Sequence, residues 1–238
     1  MHTRFITVTG SPKERGEQIG QLLQKQIETN YINQKDFYWE KQRYHYEEWE
    51  EQVSHYLPAI KKWAPEVLEE IEGLAEGSNL EFKQILALST AYEKSFDRNL
   101  VSDKCTSFLL SPKVTEDKNV IIGQTNDECF REWLSELDVV IHHIEDKKEV
   151  LLYTHPGIPA YMGINNNGLA VLWTYIDNGK VGDGLPTNII IRHLLNLDSV
   201  EEAIQFLKKI PHDIPNQIGL ADFKGNIASL NVFQIMFM

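Results

Sequence analysis

The chain has 238 residues and a net charge of −12, and its hydrophobic and charged fractions are 42% and 24%. These values are typical of a soluble globular protein that can bury a substantial core. An acidic chain without a block of Lys or Arg lacks the basic face that nucleic acids and anionic membranes require, so neither is expected as a partner. No window approaches the roughly 18 apolar residues of a membrane span, and the N-terminus shows no targeting signal. We therefore predict a cytoplasmic protein, and the oligomeric state stays unknown.

A capping box marks the start of the first predicted helix. Ser11 and Glu14 form the box, and Pro12 occupies the first helical position. Gly16 and Gly20, four residues apart, would let another backbone approach this helix closely. Its buried face is predicted to hold Ile19, Leu22, Leu23 and Ile27.

Three more helices are predicted before residue 104, over residues 35–57, 65–77 and 80–94. The helix over residues 35–57 carries an aromatic stripe that either packs in the core or lines a substrate pocket. Core packing is favoured, because helical periodicity alone implies burial. The stripe consists of Trp39, Tyr46, Trp49, Val53 and Tyr56.

Beyond residue 104 the pattern becomes strand-like. Strands are predicted at 106–110, 119–125, 137–144, 150–154, 160–164 and 169–175, with helices at 188–197 and 199–210 and final strands at 218–222 and 227–233. The run Asn165-Asn166-Asn167-Gly168 predicts a hairpin turn. The fold class is therefore α+β, with helices packed on sheets. Residues 1–104 and 105–238 are expected to form one folded unit.

The common catalytic and metal-binding motifs are absent from the sequence, so neither a metal nor another cofactor is expected. His142 and His143 are adjacent in a predicted strand and should point to opposite faces. Cys105 stands where the helical half meets the first of the later strands, and Asp127 follows the next strand. Two paired strands would bring these side chains close together. A lone cysteine is otherwise most often a small buried hydrophobe.

Several motifs, in order along the chain, carry a likeness to a known family. They are Gly10-Ser11-Pro12-Lys13-Glu14-Arg15-Gly16, Gly73-Leu74-Ala75-Glu76-Gly77, Cys105-Thr106-Ser107, Gly123-Gln124-Thr125-Asn126-Asp127 and Gly163-Ile164-Asn165-Asn166-Asn167-Gly168-Leu169-Ala170-Val171. With them the sequence resembles the acyl-coenzyme A:6-aminopenicillanic acid acyltransferases. That family belongs with the penicillin V acylases and bile-salt hydrolases among the N-terminal-nucleophile (Ntn) hydrolases.

The resemblance implies a four-layer αββα sandwich with an extra helical N-terminal segment, and self-cleavage between Lys104 and Cys105. The freed α-amine, with a reference pKa of about 7.7–8.0, would serve as the base for the Cys105 thiol. An acyl-enzyme would then form on the sulfur from a linear amide or an acyl thioester, a small-molecule substrate in either case. Asp127 would orient the amine and the sulfur. Thr174 lies where relatives supply a group to the oxyanion hole.

Departures from the family pattern leave alternatives open. Lys104 stands where glycine is expected and Gln124 where related amidases often carry arginine. Family members also continue past the last predicted strand to an asparagine that contributes an oxyanion donor, so we expect a C-terminally truncated chain. One alternative function is a non-catalytic relative with a binding or structural role. Another is a Cys–His amidase that uses one of the histidines His142, His143 and His155.

Overall fold

The structure is a computed structural model that describes residues 3–97, 105–127, 132–176 and 181–233. The helices are α1 (Pro12–Gln42), α2 (Tyr46–Gln52), α3 (Leu57–Trp63), α4 (Pro65–Ser78), α5 (Phe82–Ser89), α6 (Ala91–Asp97), α7 (Thr187–Leu194) and α8 (Val200–Leu207). The strands are β1 (Arg4–Thr9), β2 (Ser107–Leu110), β3 (Ile121–Gln124), β4 (Val139–Glu145), β5 (Lys148–Thr154), β6 (Met162–Asn165), β7 (Ala170–Tyr175), β8 (Asn216–Ala221) and β9 (Ile227–Val232).

The strands form two sheets. The larger has seven strands in the order β1-β4-β5-β6-β7-β8-β9, and the smaller is the hairpin β2-β3. In the larger sheet β1 runs parallel to β4, and the later neighbours are antiparallel. Short turns are enough for antiparallel neighbours. The turn predicted at residues 165–168 joins β6 to β7, with Gly168 at a φ of 80°.

The two faces of the large sheet are covered differently. Val171 of β7 and Ile218 of β8 belong to the main apolar core on the helical side. Side chains alternate along a strand, so Leu172 and Gly219 point to the opposite face. There Leu109 of β2 packs over Gly219, where an added Cβ would lie 3.5 Å from Leu109 Cδ1. The predicted α+β class is confirmed, and the described residues form three layers: the helices, the seven-stranded sheet and the two-stranded sheet.

Helices α1 and α4 pack backbone to backbone. A Cβ added to Gly16 would lie 2.0 Å from the carbonyl oxygen of Glu70, and one added to Gly73 would lie 2.0 Å from that of Lys13. Gly20 and Gly77 extend the same contact by one turn. The close approach predicted from Gly16 and Gly20 is confirmed. Any side chain at these positions would force the helices apart.

A buried ionic cluster fixes the helices to the sheet. The Glu70 carboxylate on α4 accepts hydrogen bonds from Nε and Nη2 of Arg192 on α7, at 2.8–3.1 Å. Arg15 of α1 and His143 of β4 each approach the same carboxylate within 3.7 Å. Burial by itself would raise the pKa of Glu70, but Arg192, His143 and Arg15 together lower it. Burial lowers the pKa of His143 to about 3, so this imidazole is neutral at pH 7.

The helix boundaries predicted between residues 27 and 57 are wrong. One helix, α1, continues from Pro12 to Gln42, and α2 begins only at Tyr46. The break falls at Arg43, which has a φ of 53° and donates its backbone N–H to Trp39 O at 2.9 Å. The sequence does not predict a helix end at an arginine, because glycine or asparagine usually occupies the position with the left-handed backbone conformation.

The helix predicted at residues 80–94 is divided at Thr90. Its hydroxyl donates to the carbonyl oxygen of Leu86 at 3.0 Å, and the backbone leaves the helical conformation there. Such side-chain bonds compete with the helical ladder. The helix predicted at residues 65–77 is confirmed, as are the eight strands predicted after residue 104, to within two residues at most of their ends.

Burial corrects two further expectations and confirms another. Leu22, expected on the buried face of α1, is 52% exposed. Trp39 is also exposed and stacks with Arg43, whereas the other members of the aromatic stripe are buried in the core as predicted.

Strand β1 was not predicted, because its partner β4 lies about 130 residues away and its own apolar alternation is short.

Candidate active site

The open end of the β2–β3 hairpin carries two of the predicted site residues. The ladder pairs Ser107 with Gln124 and continues one step further, since the backbone N–H of Thr125 donates to Thr106 O at 2.9 Å. The backbone N–H of Thr106 in turn donates to Thr125 Oγ1 at 3.1 Å. Cys105 precedes this last pair on one strand and Asp127 follows it on the other, so both lie at the same end of the hairpin.

The Thr125 hydroxyl links the two sides of this end. It accepts from the Thr106 backbone and donates to Asp127 Oδ2 at 3.0 Å. The Thr125 hydroxyl therefore links the Asp127 carboxylate to the backbone of Thr106, the residue that follows Cys105. Asp127 itself is exposed and Cys105 is half-buried.

The Tyr161 side chain contacts the Cys105 sulfur. The distance from Sγ to the Tyr161 hydroxyl oxygen is 3.8 Å. The same hydroxyl donates to Oδ1 of Asn126 at 2.7 Å. Tyr161 thus connects the cysteine on one strand to the residue before Asp127 on the other.

Aromatic rings enclose Tyr161 and leave it 2% exposed. Four rings lie around it: Trp173 at 5.2 Å between centroids, Tyr92 at 5.7 Å, His155 at 5.9 Å and Tyr153 at 6.0 Å. They come from β7, α6 and the end of β5, so the hydroxyl position is set by three elements of the scaffold. Dense ring packing of this kind strongly restricts where a side chain can move.

Thr174 lies one residue beyond this aromatic cluster. Its hydroxyl donates to Oε1 of Gln217 on β8 at 2.8 Å. Because neighbouring residues of a strand point to opposite faces, the Thr174 side chain points away from the face that Trp173 shares with Tyr161. Gln124 joins the hairpin to β7, since its Oε1 accepts from the backbone N–H of Trp173 at 3.2 Å. The hairpin therefore brings Cys105 and Asp127 together, and Thr174 lies on the neighbouring strand β7 with its hydroxyl engaged.

The three candidate histidines have other partners. His142 lies 2.8 Å from Glu149, and His143 lies in the Glu70 cluster, so the two point to opposite faces as predicted. His155 is fully buried, and its Nδ1 lies 3.3 Å from Oδ1 of Asp138. Of the three, His155 is the one whose ring packs against Tyr161.

Two buried acids lie behind the aromatic cluster. Glu93, next to Tyr92, accepts from the backbone N–H of Thr187 at 2.7 Å, and its second oxygen has no hydrogen-bond partner among the residues that the structure describes. Asp213 accepts from the Tyr56 hydroxyl at 2.7 Å. Burial raises the pKa of Glu93. Burial, followed by the charge of Glu93, raises the pKa of Asp213 to about 8.

Sequence reasoning missed Tyr161 and Asn126. Tyr161 lay within a predicted strand, where tyrosine is common, and Asn126 was noted only as part of a motif. Lys104, and with it the predicted cleavage bond, lies outside the described residues. Within the described ranges, no group of three or more His, Cys, Asp or Glu side chains could hold a metal ion.

These features define an α+β protein in which a cysteine lies two residues before the first strand of the smaller sheet. The sequence profile of the acyl-coenzyme A:6-aminopenicillanic acid acyl-transferase family matches residues 114–236, more than half of the chain. The chain therefore belongs to this family, whose name is that of an acyltransferase. The matched part includes Asp127 and Thr174 and begins after Cys105.

Among solved structures, the chain is similar to penicillin V acylase from Agrobacterium tumefaciens, with 17% sequence identity and a TM-score of 0.31. The match covers 57% of this chain and 41% of the acylase chain, so the likeness spans less than half of the acylase. No curated protein matches this sequence. None of the described helices combines the length and apolar character that crossing a lipid bilayer requires.

Proposed function

We propose that this chain is an Ntn-type cysteine amidohydrolase or acyltransferase that acts on a linear amide or an acyl thioester. Cys105 is the nucleophile, and cleavage of the Lys104–Cys105 bond makes it the new N-terminus. The observation that carries this proposal is the hydrogen-bonded end of the β2–β3 hairpin, where Cys105 and Asp127 lie on adjacent strands. Membership of a family named for an acyltransferase supports acyl transfer as the reaction class.

The proposed chemistry requires no histidine and no cofactor. The α-amine of Cys105, with a reference pKa of about 7.7–8.0, takes the thiol proton. The thiolate attacks the substrate carbonyl carbon, and the protonated amine then gives its proton to the departing amine or thiol. The acyl-enzyme on Sγ is released by water in hydrolysis or by an amine in acyl transfer.

Two further residues have assigned roles in this proposal. Asp127, anchored by the Thr125 hydroxyl, accepts a hydrogen bond from the α-ammonium and so fixes its orientation. Thr174 is the candidate oxyanion donor, and its hydroxyl would have to exchange Gln217 for the substrate oxygen. Loss of one oxyanion donor typically lowers the rate by about 10²–10³-fold, so this role is measurable.

The test is the intact mass of the purified protein under denaturing conditions, before and after incubation with an acyl thioester. We expect two pieces that divide at Lys104–Cys105, and an acyl adduct on the piece that begins with Cys105. Cys105→Ala should leave a single chain of 27.5 kDa without an adduct. The conservative control is Cys129→Ala, which removes the other cysteine and should still be cleaved and acylated.

Turnover by Cys105→Ala would overturn the proposal. A parent chain that remains whole and takes up no acyl group would also overturn it, and would favour a binding or structural role for this family member.

A further inference from the structure

We infer that Tyr161 is a positioning residue that controls the protonation of the Cys105 sulfur. The inference concerns the thiol itself, and its importance for turnover rests on the proposed function. It is carried by one hydroxyl that contacts both strands of the hairpin end, 3.8 Å from Cys105 Sγ and 2.7 Å from Asn126 Oδ1.

A phenolic hydroxyl has a single proton to donate. In the structure Tyr161 donates that proton to Asn126 at 2.7 Å, a shorter contact than the 3.8 Å to the sulfur. Toward the sulfur the hydroxyl oxygen therefore acts as an acceptor, and the Cys105 S–H is the donor. This arrangement fits the neutral thiol and fixes the direction of its proton.

Ionisation of the Cys105 thiol reverses the donor and acceptor roles in its contact with Tyr161. A thiolate accepts hydrogen bonds and donates none, so it attracts the Tyr161 proton. The buried ring cannot move far, because Tyr92, Tyr153, His155 and Trp173 pack around it. Rotation about the C–O bond is enough to turn the proton from Asn126 toward the sulfur. Tyr161 keeps its own proton throughout, and the thiol proton leaves to the base.

Titratable groups on every neighbouring element bear on this exchange. Asp127 lies on the hairpin, and its negative charge would oppose a thiolate nearby. Tyr92 packs against Tyr161 from α6, and Tyr153 and His155 pack against it from the end of β5. The Tyr161 hydroxyl contacts the sulfur, so its donation offsets the opposing charge directly.

The test is the rate of Cys105 alkylation by iodoacetamide from pH 6 to pH 10, in a Cys129→Ala background that leaves one thiol. Tyr161→Phe removes the hydroxyl and keeps the ring. A hydrogen bond to a charged group is worth about tenfold in an ionisation equilibrium, so we expect about tenfold slower alkylation at pH 7. The rates should converge near pH 10, where the thiol ionises without help.

Two further variants make the result specific. Tyr153→Phe removes a hydroxyl from the same aromatic cluster, one that donates to Asp138 at 2.6 Å, and should leave the alkylation profile unchanged. Asn126→Ala removes the competing acceptor for the Tyr161 proton, so it should raise the alkylation rate at pH 7. If the substitutions acted only by loosening the site, the alkylation rates of the Tyr153 and Asn126 variants would change in the same direction as that of Tyr161→Phe.

An alkylation profile for folded Tyr161→Phe equal to that of the parent would overturn the inference. Slower alkylation of Asn126→Ala would do the same, and this variant decides the question should Tyr161→Phe fail to fold. The measurement uses no substrate, so the two ideas can fail separately. Turnover that survives Cys105→Ala removes the proposed function and leaves the alkylation result standing.

Discussion

Two buried acidic sites in this protein have opposite electrostatic properties. Glu70 lies among Arg192, Arg15 and His143, and its pKa is lowered. Asp213 lies near a second acid, Glu93, and its pKa is raised to about 8. Both carboxyl groups are buried, so burial alone does not decide their charge.

The difference lies in the groups that surround each carboxyl. Two guanidinium groups surround Glu70, and their attraction outweighs the cost of removing the carboxylate from water. Asp213 has a tyrosine hydroxyl as its side-chain hydrogen-bond donor, which does not compensate for burial. The Glu70 site is therefore an ion pair that joins α4 to α7, whereas Asp213 is a neutral acid at pH 7.

The largest expected effect comes from Glu70→Gln. It removes the carboxylate that pairs with the buried Arg192 and leaves Arg15 with Glu145 alone. Breaking a buried pair in this way costs about 3–5 kcal/mol. Because the folded pKa of Glu70 is lowered, its contribution is present above its unfolded pKa of about 4.3 and is lost as the pH falls below it. Urea unfolding at pH 7 and pH 4 measures both the loss and its decrease in acid.

Glu72→Gln is the matched control for Glu70→Gln, because Glu72 lies on the exposed side of the same helix. It should change the free energy of unfolding by less than about 0.5 kcal/mol. Equal losses for the two variants would show that the comparison between the paired and the unpaired acid is wrong.

Asp213→Asn should stabilise the protein at pH 8, whereas Glu70→Gln should destabilise it at pH 7. The folded pKa of Asp213 is raised, so its favourable contribution is complete below its unfolded pKa of about 3.9 and is lost as the pH rises toward 8. The amide cannot ionise and still accepts from the Tyr56 hydroxyl. We expect a gain of about 1–3 kcal/mol at pH 8 that disappears near pH 4.

Thermal unfolding from pH 4 to pH 9 measures this pH dependence. The control is Asp183→Asn, an exposed position in the segment before α7, where the backbone N–H of Gly182 donates to Asp213 O. The melting temperatures of the parent and of Asp183→Asn should change with pH in the same way, and that of Asp213→Asn should depend less on pH. A parent whose stability is constant from pH 4 to pH 8 would contradict the raised pKa of Asp213.

The smallest effect is expected at the rim of the Glu70 cluster. Glu66 lies 2.6 Å from Nδ1 of His193, and both side chains are partly exposed. Burial tends to raise the pKa of Glu66, but the hydrogen bond and charge of His193 lower it overall. Since solvent screens such a pair, Glu66→Gln should cost about 0.5–1 kcal/mol in urea unfolding at pH 6. A cost equal to that of Glu70→Gln would mean that the number of ion pairs matters more than their burial.

Local signals in the sequence determined much of the fold. The capping box at Ser11, the alternating apolar residues after residue 104 and the turn at Asn165 depend on neighbours within a few residues, so their outcome is visible in the sequence. The end of α1 at Arg43 and the break at Thr90 were not visible in this way. At Arg43 the helix ends because the residue adopts a left-handed conformation. At Thr90 it ends where a side-chain hydrogen bond competes with the helical ladder.

In the candidate site, too, some features could be predicted from the sequence and others depend on tertiary packing. The sequence placed Cys105 before one strand and Asp127 after the next, and strand pairing at short separation was enough to bring them to one end of a hairpin. Tyr161 reaches the sulfur only because β5, β7 and α6 pack around its ring. The charge of Glu70 and the neutrality of Asp213 likewise depend on residues 122 and 157 positions away. Contacts and burial at that separation are set by tertiary packing, and no local pattern in the chain encodes them.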